Sequence, residues 1–514
     1  MDWTAGYASD IEYTAGFYRE QSPAFLSFVS VLNGYEPVAL NKPFTYFEMG
    51  FGRGLTANLL AAANPQGQFY AADFNPSHVA GARQLASTSQ LENLILLENS
   101  FEELAEGQVK GLPQFDFITL HGIYTWVTAE NRAHIINFIA RYLKPGGIVY
   151  MSYNAMPGWA PTLPLQRLLV EYADLFPNRS DIQVKGAAGY IEKLEAAQAG
   201  YFTVNASLKA RLEMLKTGNT NYLVHEYMHK HWQPMYHADV ARDMAGAKME
   251  YIGSAELPFA YPGLFLTQEK QELINALPDA TLRETMKDYF LNTAFRKDVF
   301  VRGARRMSGP RQAEWLAQIG LVLLVPRESV TLAMKLAVGE VNARPEVYAP
   351  VIDALAKQPM TLAELLAIPA LNGQGLANLA QIAAILTASG QAATYFASAG
   401  KVAAESAQRM NRVLASYVRY GDEYQALCSP LLGNGISASY IERLVYLCLG
   451  QNVRDPDLAQ VAKQAWQVMS SQGRRMIKDG KMVEGEADNL AELEVQIKPV
   501  LQHKLPLWRQ LKVI

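Results

Sequence analysis

The chain has 514 residues, of which 50% are hydrophobic and 18% charged, with a net charge of −3 and a pI near 6.3. That length exceeds one hydrophobic core and calls for two to four domains, while the near-balanced charge excludes a general electrostatic attraction to nucleic acid. Only Cys428 and Cys448 are present, which excludes a disulfide framework and a thiolate zinc site, and their neighbours Ala-Leu-Cys and Tyr-Leu-Cys read as helix cores.

Residues 1 to 40 form an amphipathic segment with Tyr13, Phe17, Tyr18, Glu20 and Pro23, suited either to a lid over a ligand or to a helix packed on a sheet edge. The run Phe44-Thr-Tyr-Phe-Glu48-Met-Gly50-Phe-Gly52-Arg-Gly54, the stretch Leu55 to Ala63 and Phe69-Tyr-Ala-Ala-Asp73 then read as strand, glycine turn, helix, strand and acid. Leu94 to Glu98 predicts a third strand, with Asn99, Ser100 and Phe101 in its exit loop. Phe115 to His121 predicts a fourth, and Lys144-Pro-Gly-Gly147 turns into a fifth at Ile148 to Tyr153. Strands alternating with helices imply a parallel, doubly wound α/β sheet with its ligand at the strands' carboxyl ends. A helix-rich insertion follows from about Leu163 to Lys216. Tyr222-Leu-Val-His225-Glu226 reads as a strand, Pro234 onward as a helix, and Met249-Glu-Tyr-Ile-Gly-Ser as a strand that completes the sheet. Phe295 to Arg302 reads as a basic strand suited to a sheet edge. Val351 to Tyr395 suggests helix, turn, helix and a short wing. Its second helix lacks the Lys/Arg density that phosphate contacts require, so no nucleic-acid partner is expected. Beyond Val402 the pattern is helical, with an Asp-Gly hairpin near Arg475 to Val483. No apolar run reaches about 18 residues and no basic-then-apolar leader opens the chain, so a cytoplasmic protein without an integral membrane segment is expected.

The glycine run carries the chemistry. Glycines let the backbone turn tightly and approach a ligand, a helix N-terminus offers unpaired N–H groups, and an acid ending the second strand can accept two ribose hydroxyls. Dinucleotide enzymes usually carry G-x-G-x-x-G. Here Gly50, Gly52 and Gly54 alternate after the acid Glu48, which resembles the first motif of class I S-adenosylmethionine (SAM) methyltransferases. That resemblance implies a donor held by Gly50, Gly52 and Gly54, with Glu48 organising the turn or reaching the donor's ammonium through water. Asp73 would hold the ribose, or else cap the helix that follows. Phe74 would lie beside the adenine, with Ser100 and Phe101 in the adenine loop and Tyr13 and Tyr18 in the lid. Related enzymes often carry an Asp in that loop; Asn99 and Ser100 stand there in this chain.

His121-Gly-Ile-Tyr124-Thr-Trp126, Tyr153-Asn-Ala-Met-Pro-Gly-Trp159 and Tyr222-Leu-Val-His-Glu-Tyr resemble bacterial class I methyltransferases with a methyltransferase regulatory domain, of which the rickettsial-type protein-lysine methyltransferases are members. The clear resemblance covers residues 10 to 300. It implies a SAM-dependent homodimer that methylates lysines of proteins, outer-membrane proteins among them, and releases S-adenosylhomocysteine. The expected layout is a Rossmann-like core with lid at 1–160, a helical, dimerising insertion at 161–218 and a regulatory region completing the sheet at 219–300. A middle domain with a candidate winged helix follows at 301–400, and a mainly helical domain at 401–514. A methyltransferase of small molecules or envelope sugars and a non-catalytic SAM-binding scaffold are the competing readings.

Methyl transfer from a sulfonium is an in-line displacement that needs no metal, so catalysis lies in holding donor and acceptor about 3 Å apart. The residues expected around the acceptor are His121, Tyr124, Trp126, Tyr153, Asn154 and Trp159. The aromatics would form a channel that attracts cationic groups, and Asn154 would orient an amine through its side-chain oxygen. His121 is either a base or cofactor contact, or a structural residue. His225 or Glu226 would contribute if its strand reached the pocket.

Overall fold

The computed structural model describes residues 15–397, 403–450 and 454–514; the expected lid residue Tyr13 lies outside them. Helix α1 (Pro23–Leu32) is followed by β1 (Phe44–Met49), α2 (Leu55–Ala63), β2 (Gly67–Asp73), α3 (Pro76–Thr88), β3 (Leu94–Glu98), α4 (Phe101–Glu106), β4 (Phe115–Leu120), α5 (Ala129–Tyr142) and β5 (Leu143–Asn154). Helices α6 (Leu163–Leu175), α7 (Ser180–Ala196), α8 (Gly200–Val204), α9 (Lys209–Thr217) and α10 (Thr220–Tyr227) form the insertion. Then come α11 (His237–Ala245), β6 (Met249–Ser254), α12 (Gln268–Asn275), α13 (Ala280–Leu291) and β7 (Phe295–Arg302). The strands make one seven-stranded sheet in the order β3-β2-β1-β4-β5-β7-β6. Strands β1 to β5 are parallel, and β7 runs antiparallel to both β5 and β6.

The sheet is buried on both sides, so its central strands are apolar throughout rather than alternating. Tyr46, Phe117, Ile148 and Tyr150 face α1 in one core, whereas Phe47, Ile118, Val149 and Met151 face α5 and α11 in another. Helix starts are set by side chains. Ser22 accepts the Phe25 N–H before α1, Asn75 accepts the Ser77 N–H before α3, and Ser100 forms a reciprocal capping box with Glu103 at α4.

Three expectations are corrected. Tyr222 to Tyr227 is helix α10, not a strand: Asn219 accepts the N–H groups of Asn221 and Tyr222, and Leu223, Val224 and Tyr227 share one face of the insertion core. Strand β7 is interior, paired on one side from Ile148↔Val301 to Asn154↔Phe295 and on the other with β6. Its charges are tolerated there because they are paired. Buried Arg296 bonds Asp298 (3.0 Å), Asp288 (2.7 Å) and Glu284 (3.0 Å), and Asp298 also accepts the Tyr153 hydroxyl at 2.6 Å. Cys428 lies in a strand, Ala426–Ser429, where its thiol is buried, while Cys448 is helical as expected.

The insertion has its own core, in which Trp159, Leu165, Leu169, Ile191, Leu212 and Tyr227 meet. Residues 303–397 build a three-stranded antiparallel sheet from Ile319–Leu323, Met360–Thr361 and Ala392–Phe396, which shares the α1 core. The helix Leu376–Ala388 beside it is buried along Leu379, Ala380 and Ile382 to Thr387. Residues 403–450 and 454–514 are mainly helical and carry a hairpin, Ala426–Ser429 with Asn434–Ser437, that packs on α2; the Asp-Gly turn forms between Ile477–Lys478 and Lys481–Met482. Among the described residues no helix is long and apolar enough to cross a membrane.

Candidate functional site

In the sheet, β1 and β4 are neighbours whose connections leave towards opposite edges, so a crevice opens beyond their carboxyl ends. The turn after β1 lines it. Gly50, Gly52 and Gly54 all have positive φ, at +67°, +57° and +73°, which excludes most side chains. A Cβ on Gly50 would also lie 2.6 Å from Ile123, and one on Gly54 2.5 Å from Ala82. The turn hands directly into α2, whose N-terminus carries no side-chain cap, unlike α3, α4 and α5. Its N–H groups and the positive end of its dipole therefore face the crevice.

Asp73, at the end of β2, is buried and ties three segments together. It accepts the Gly52 N–H at 2.8 Å and the Asn75 N–H at 2.9 Å, and His78 Nδ1 lies 3.3 Å away. It does not cap α3, because Asn75 does so. A carboxylate offers about four lone-pair positions, so Asp73 retains acceptor capacity. Glu48 is also buried and accepts the Gln21 amide at 3.2 Å, leaving its Oε2 and the Gln21 Oε1 without hydrogen-bond partners among the described residues. Burial, with the Asp73 charge adding to it, pushes the Glu48 pKa up to about 8 against the opposing Gln21 bond. Phe74, Ser100 and Phe101 are half-buried around the same crevice. The Ser100 hydroxyl is engaged by the Glu103 N–H, and Asn99 donates to the Glu103 carboxylate at 3.1 Å.

His121 follows β4 directly. Its Nδ1 shares a 2.9 Å hydrogen bond with Tyr150, and its ring stacks on Tyr18 with centroids 3.7 Å apart. Burial drives its pKa down to about 3 against the raising effect of Glu20. Phe295 meets the same imidazole edge-on at 6.1 Å and is 41% exposed. Tyr18 reaches across from the N-terminal segment, its N–H donating to Thr56 Oγ1 of α2 at 3.2 Å. Glu20 binds Lys297 of β7 at 2.8 Å.

The expected aromatic channel does not form from the residues assigned to it. Tyr124 and Tyr153 are fully buried, their hydroxyls donating to Asp243 at 2.8 Å and Asp298 at 2.6 Å. Trp159 belongs to the insertion core, where the Arg211 guanidinium lies 3.9 Å over its ring, and Trp126 packs on His229 and Trp232. Their aromatic character marks packing. Asn154 stands at the end of β5 beside Phe295, but its Oδ1 accepts the Thr125 hydroxyl at 3.3 Å. His225 and Glu226 lie on α10, outside any sheet strand. Sequence reasoning missed Gln21, Tyr150, Ser152 and Phe295. The alternation of Tyr150 and Ser152 on one strand face was the available signal: Tyr150 meets His121, and Ser152 Oγ accepts the Gly122 N–H at 2.8 Å.

A family profile described as a methyltransferase domain matches residues 47–147, and one described as a predicted methyltransferase regulatory domain matches residues 219–302. The second of these stretches supplies β6 and β7, so it completes the catalytic sheet. Over 516 aligned residues the chain is 38% identical to the uncharacterised protein sll1526 of Synechocystis, spanning 100% of both. It is 24% identical to the uncharacterised protein RP789 of Rickettsia prowazekii over 293 residues, 56% of this chain and 51% of that one. In fold it matches PKMT2 from Rickettsia typhi, solved in complex with AdoHcy. The TM-score is 0.72 at 17% identity, and the match covers 98% of this chain and 100% of PKMT2.

The crevice fits a nucleoside sulfonium. It offers glycine backbone at Gly50 that a side chain would close, an open helix N-terminus, the acceptor capacity of Asp73 and a Glu48 Oε2 without a hydrogen-bond partner among the described residues. With its methyltransferase domain at residues 47–147 and its methyltransferase regulatory domain at 219–302, the chain belongs to the class I S-adenosylmethionine-dependent methyltransferases that carry such a regulatory domain.

Proposed function

We propose that the protein transfers methyl groups from SAM to lysine side chains of a protein, acting in the cytoplasm as a homodimer. The observation that carries this reading is the end-to-end likeness to PKMT2, which extends through the insertion and both later units and not only the sheet. A small acceptor needs none of that added surface. The motifs around His121, Tyr153 and Tyr222 support the same acceptor through their resemblance to the rickettsial-type protein-lysine methyltransferases. For the dimer, the support is the apolar surface left exposed on the insertion at Leu175, Phe176, Ile182, Tyr190 and Val204.

When bound, SAM supplies an electrophilic methyl group on a sulfonium. The chain's own residues bind and orient. Gly50, Gly52 and Asp73 hold the donor end of the crevice, with Glu48 able to ionise against a cation. Tyr18, His121 and Phe295 present ring faces and edges at its mouth. Such rings attract an ammonium or a sulfonium, and a neutral His121 adds no repelling charge. A lysine must shed a proton before it attacks, at a cost of about 4–5 kcal/mol at pH 7 for an ordinary side chain. Desolvation against these rings lowers that cost.

The test is transfer of labelled methyl from SAM into a fractionated lysate, followed by hydrolysis of the labelled protein. Label recovered as methyl-lysine, and absent with Asp73→Ala, is the expected result. Label confined to small molecules would replace this reading with the small-molecule methyltransferase.

A further inference from the structure

The N-terminal segment and the C-terminal unit meet over the donor crevice. Phe17 to Gln21 form a strap whose only regular structure is a single 3-10 turn, Arg19–Gln21, too short to hold itself in place. Its inner side carries Tyr18, stacked on His121, and Gln21, which donates to Glu48. Its outer side is gripped by the hairpin of the C-terminal unit. Asn434 Nδ2 donates to the Arg19 carbonyl at 2.9 Å, and Asn434 itself is buried. Phe17 is seated on the bare backbone of Gly435, where a Cβ would lie 2.9 Å from the Phe17 ring and 3.2 Å from Leu59. The hairpin is in turn fixed to α2: Asn64 donates to the Gly433 carbonyl at 2.9 Å, and the Cys428 thiol lies 3.4 Å from the Leu59 carbonyl. The C-terminal unit thus connects the helix that follows the glycine turn to the strap that covers it.

We propose that Asn434 and Gly435 are positioning residues of the methyl-transfer site: by holding Phe17 and the Arg19 carbonyl they keep Tyr18 stacked on His121, and the C-terminal unit thereby sets how tightly the donor side is held. The inference does not depend on the identity of the acceptor. Neither residue faces the crevice, and both act through the strap. Loss of the Asn434 bond leaves the Arg19 carbonyl to the Ser22 N–H of the strap's own turn, with no tie to the C-terminal hairpin, and the strap then samples positions in which Tyr18 leaves the imidazole.

The test uses the full chain and S-adenosylhomocysteine as the probe, with affinity read by calorimetry and strap order by amide hydrogen exchange. Asn434→Ala is expected to weaken binding about tenfold and to speed exchange at residues 18–22 while β1 and β4 stay protected. Asn434→Asp is expected to do the same, because it keeps an acceptor for the Gly435 N–H but loses the donor to Arg19. The variant with both Tyr18→Ala and Asn434→Ala should bind no more weakly than Tyr18→Ala alone, since one acts through the other. If Asn434→Ala fails to fold, Gly435→Ala carries the same comparison by pushing Phe17 outward. Wild-type affinity in the Asn434 and Gly435 variants, or losses that multiply in the double variant, would overturn the proposal.

Discussion

Asp73 Oδ2 accepts the Gly52 N–H at 2.8 Å, so the acid that ends β2 also fixes the centre of the glycine turn after β1. The same carboxylate takes the Asn75 N–H. Asp73→Ala leaves both donors without that partner in a buried place, at a cost of about 1–3 kcal/mol for each. Denaturant unfolding should therefore show Asp73→Ala to be less stable than Asp73→Asn, which keeps an acceptor oxygen. Equal stability of the two would mean that the turn is held elsewhere.

Glu48 gives a pH dependence with a definite sign. Its folded pKa, raised to about 8, lies above the ordinary carboxylate value. Between about pH 4.5 and 8 the unfolded chain therefore holds fewer protons at this residue, and stability falls as pH rises through that window. Glu48→Gln removes the effect while leaving a carbonyl for the Gln21 amide. The variant should melt close to wild type at pH 4.5 and above it at pH 8. A constant difference across the range would show that Glu48 is ionised in the fold.

His121 should not titrate near neutrality. With its pKa held down to about 3 by burial, the imidazole stays neutral from pH 5 to 9. The pH–rate profile of methyl transfer should lack an inflection near 6.5 that belongs to this residue. An inflection there that disappears in His121→Asn would contradict the buried, Tyr18-stacked geometry.

Trp159 should matter for folding and not for the donor. Its ring is 2% exposed among Tyr227, Trp232 and Arg211. Trp159→Ala should cost about 3–5 kcal/mol in the insertion's unfolding. Calorimetry should find affinity for S-adenosylhomocysteine within twofold of wild type. A large loss of affinity without a loss of stability would put Trp159 back in the site.

The sheet was legible because each strand announces itself locally. Phe44 to Met49 and Phe115 to Leu120 are short apolar runs bounded by turn residues, and three alternating glycines need a backbone that few other sequences need. The acid at Asp73 was legible for the same reason. What failed was the assignment of aromatics, since Tyr124 and Tyr153 carry the same side chain as Tyr18 yet spend their hydroxyls on Asp243 and Asp298. Partners 119 and 145 residues apart leave no mark in local spacing. The interior place of β7 was hidden likewise, because its Arg296 reads as a surface charge until Glu284, Asp288 and Asp298 are gathered around it. Nor does any periodicity reveal that Asn434 meets Arg19, 415 residues away.

The most direct measurement is a calorimetric titration of the full chain with S-adenosylhomocysteine, run in parallel on Asp73→Ala and on Gly50→Val, which fills the glycine cradle against Ile123. Saturable binding of one molecule per chain, lost in both variants while their sheets remain folded, is the predicted result. Absence of binding by the wild type, or binding that both variants retain, would contradict a donor site at the carboxyl ends of β1 and β4.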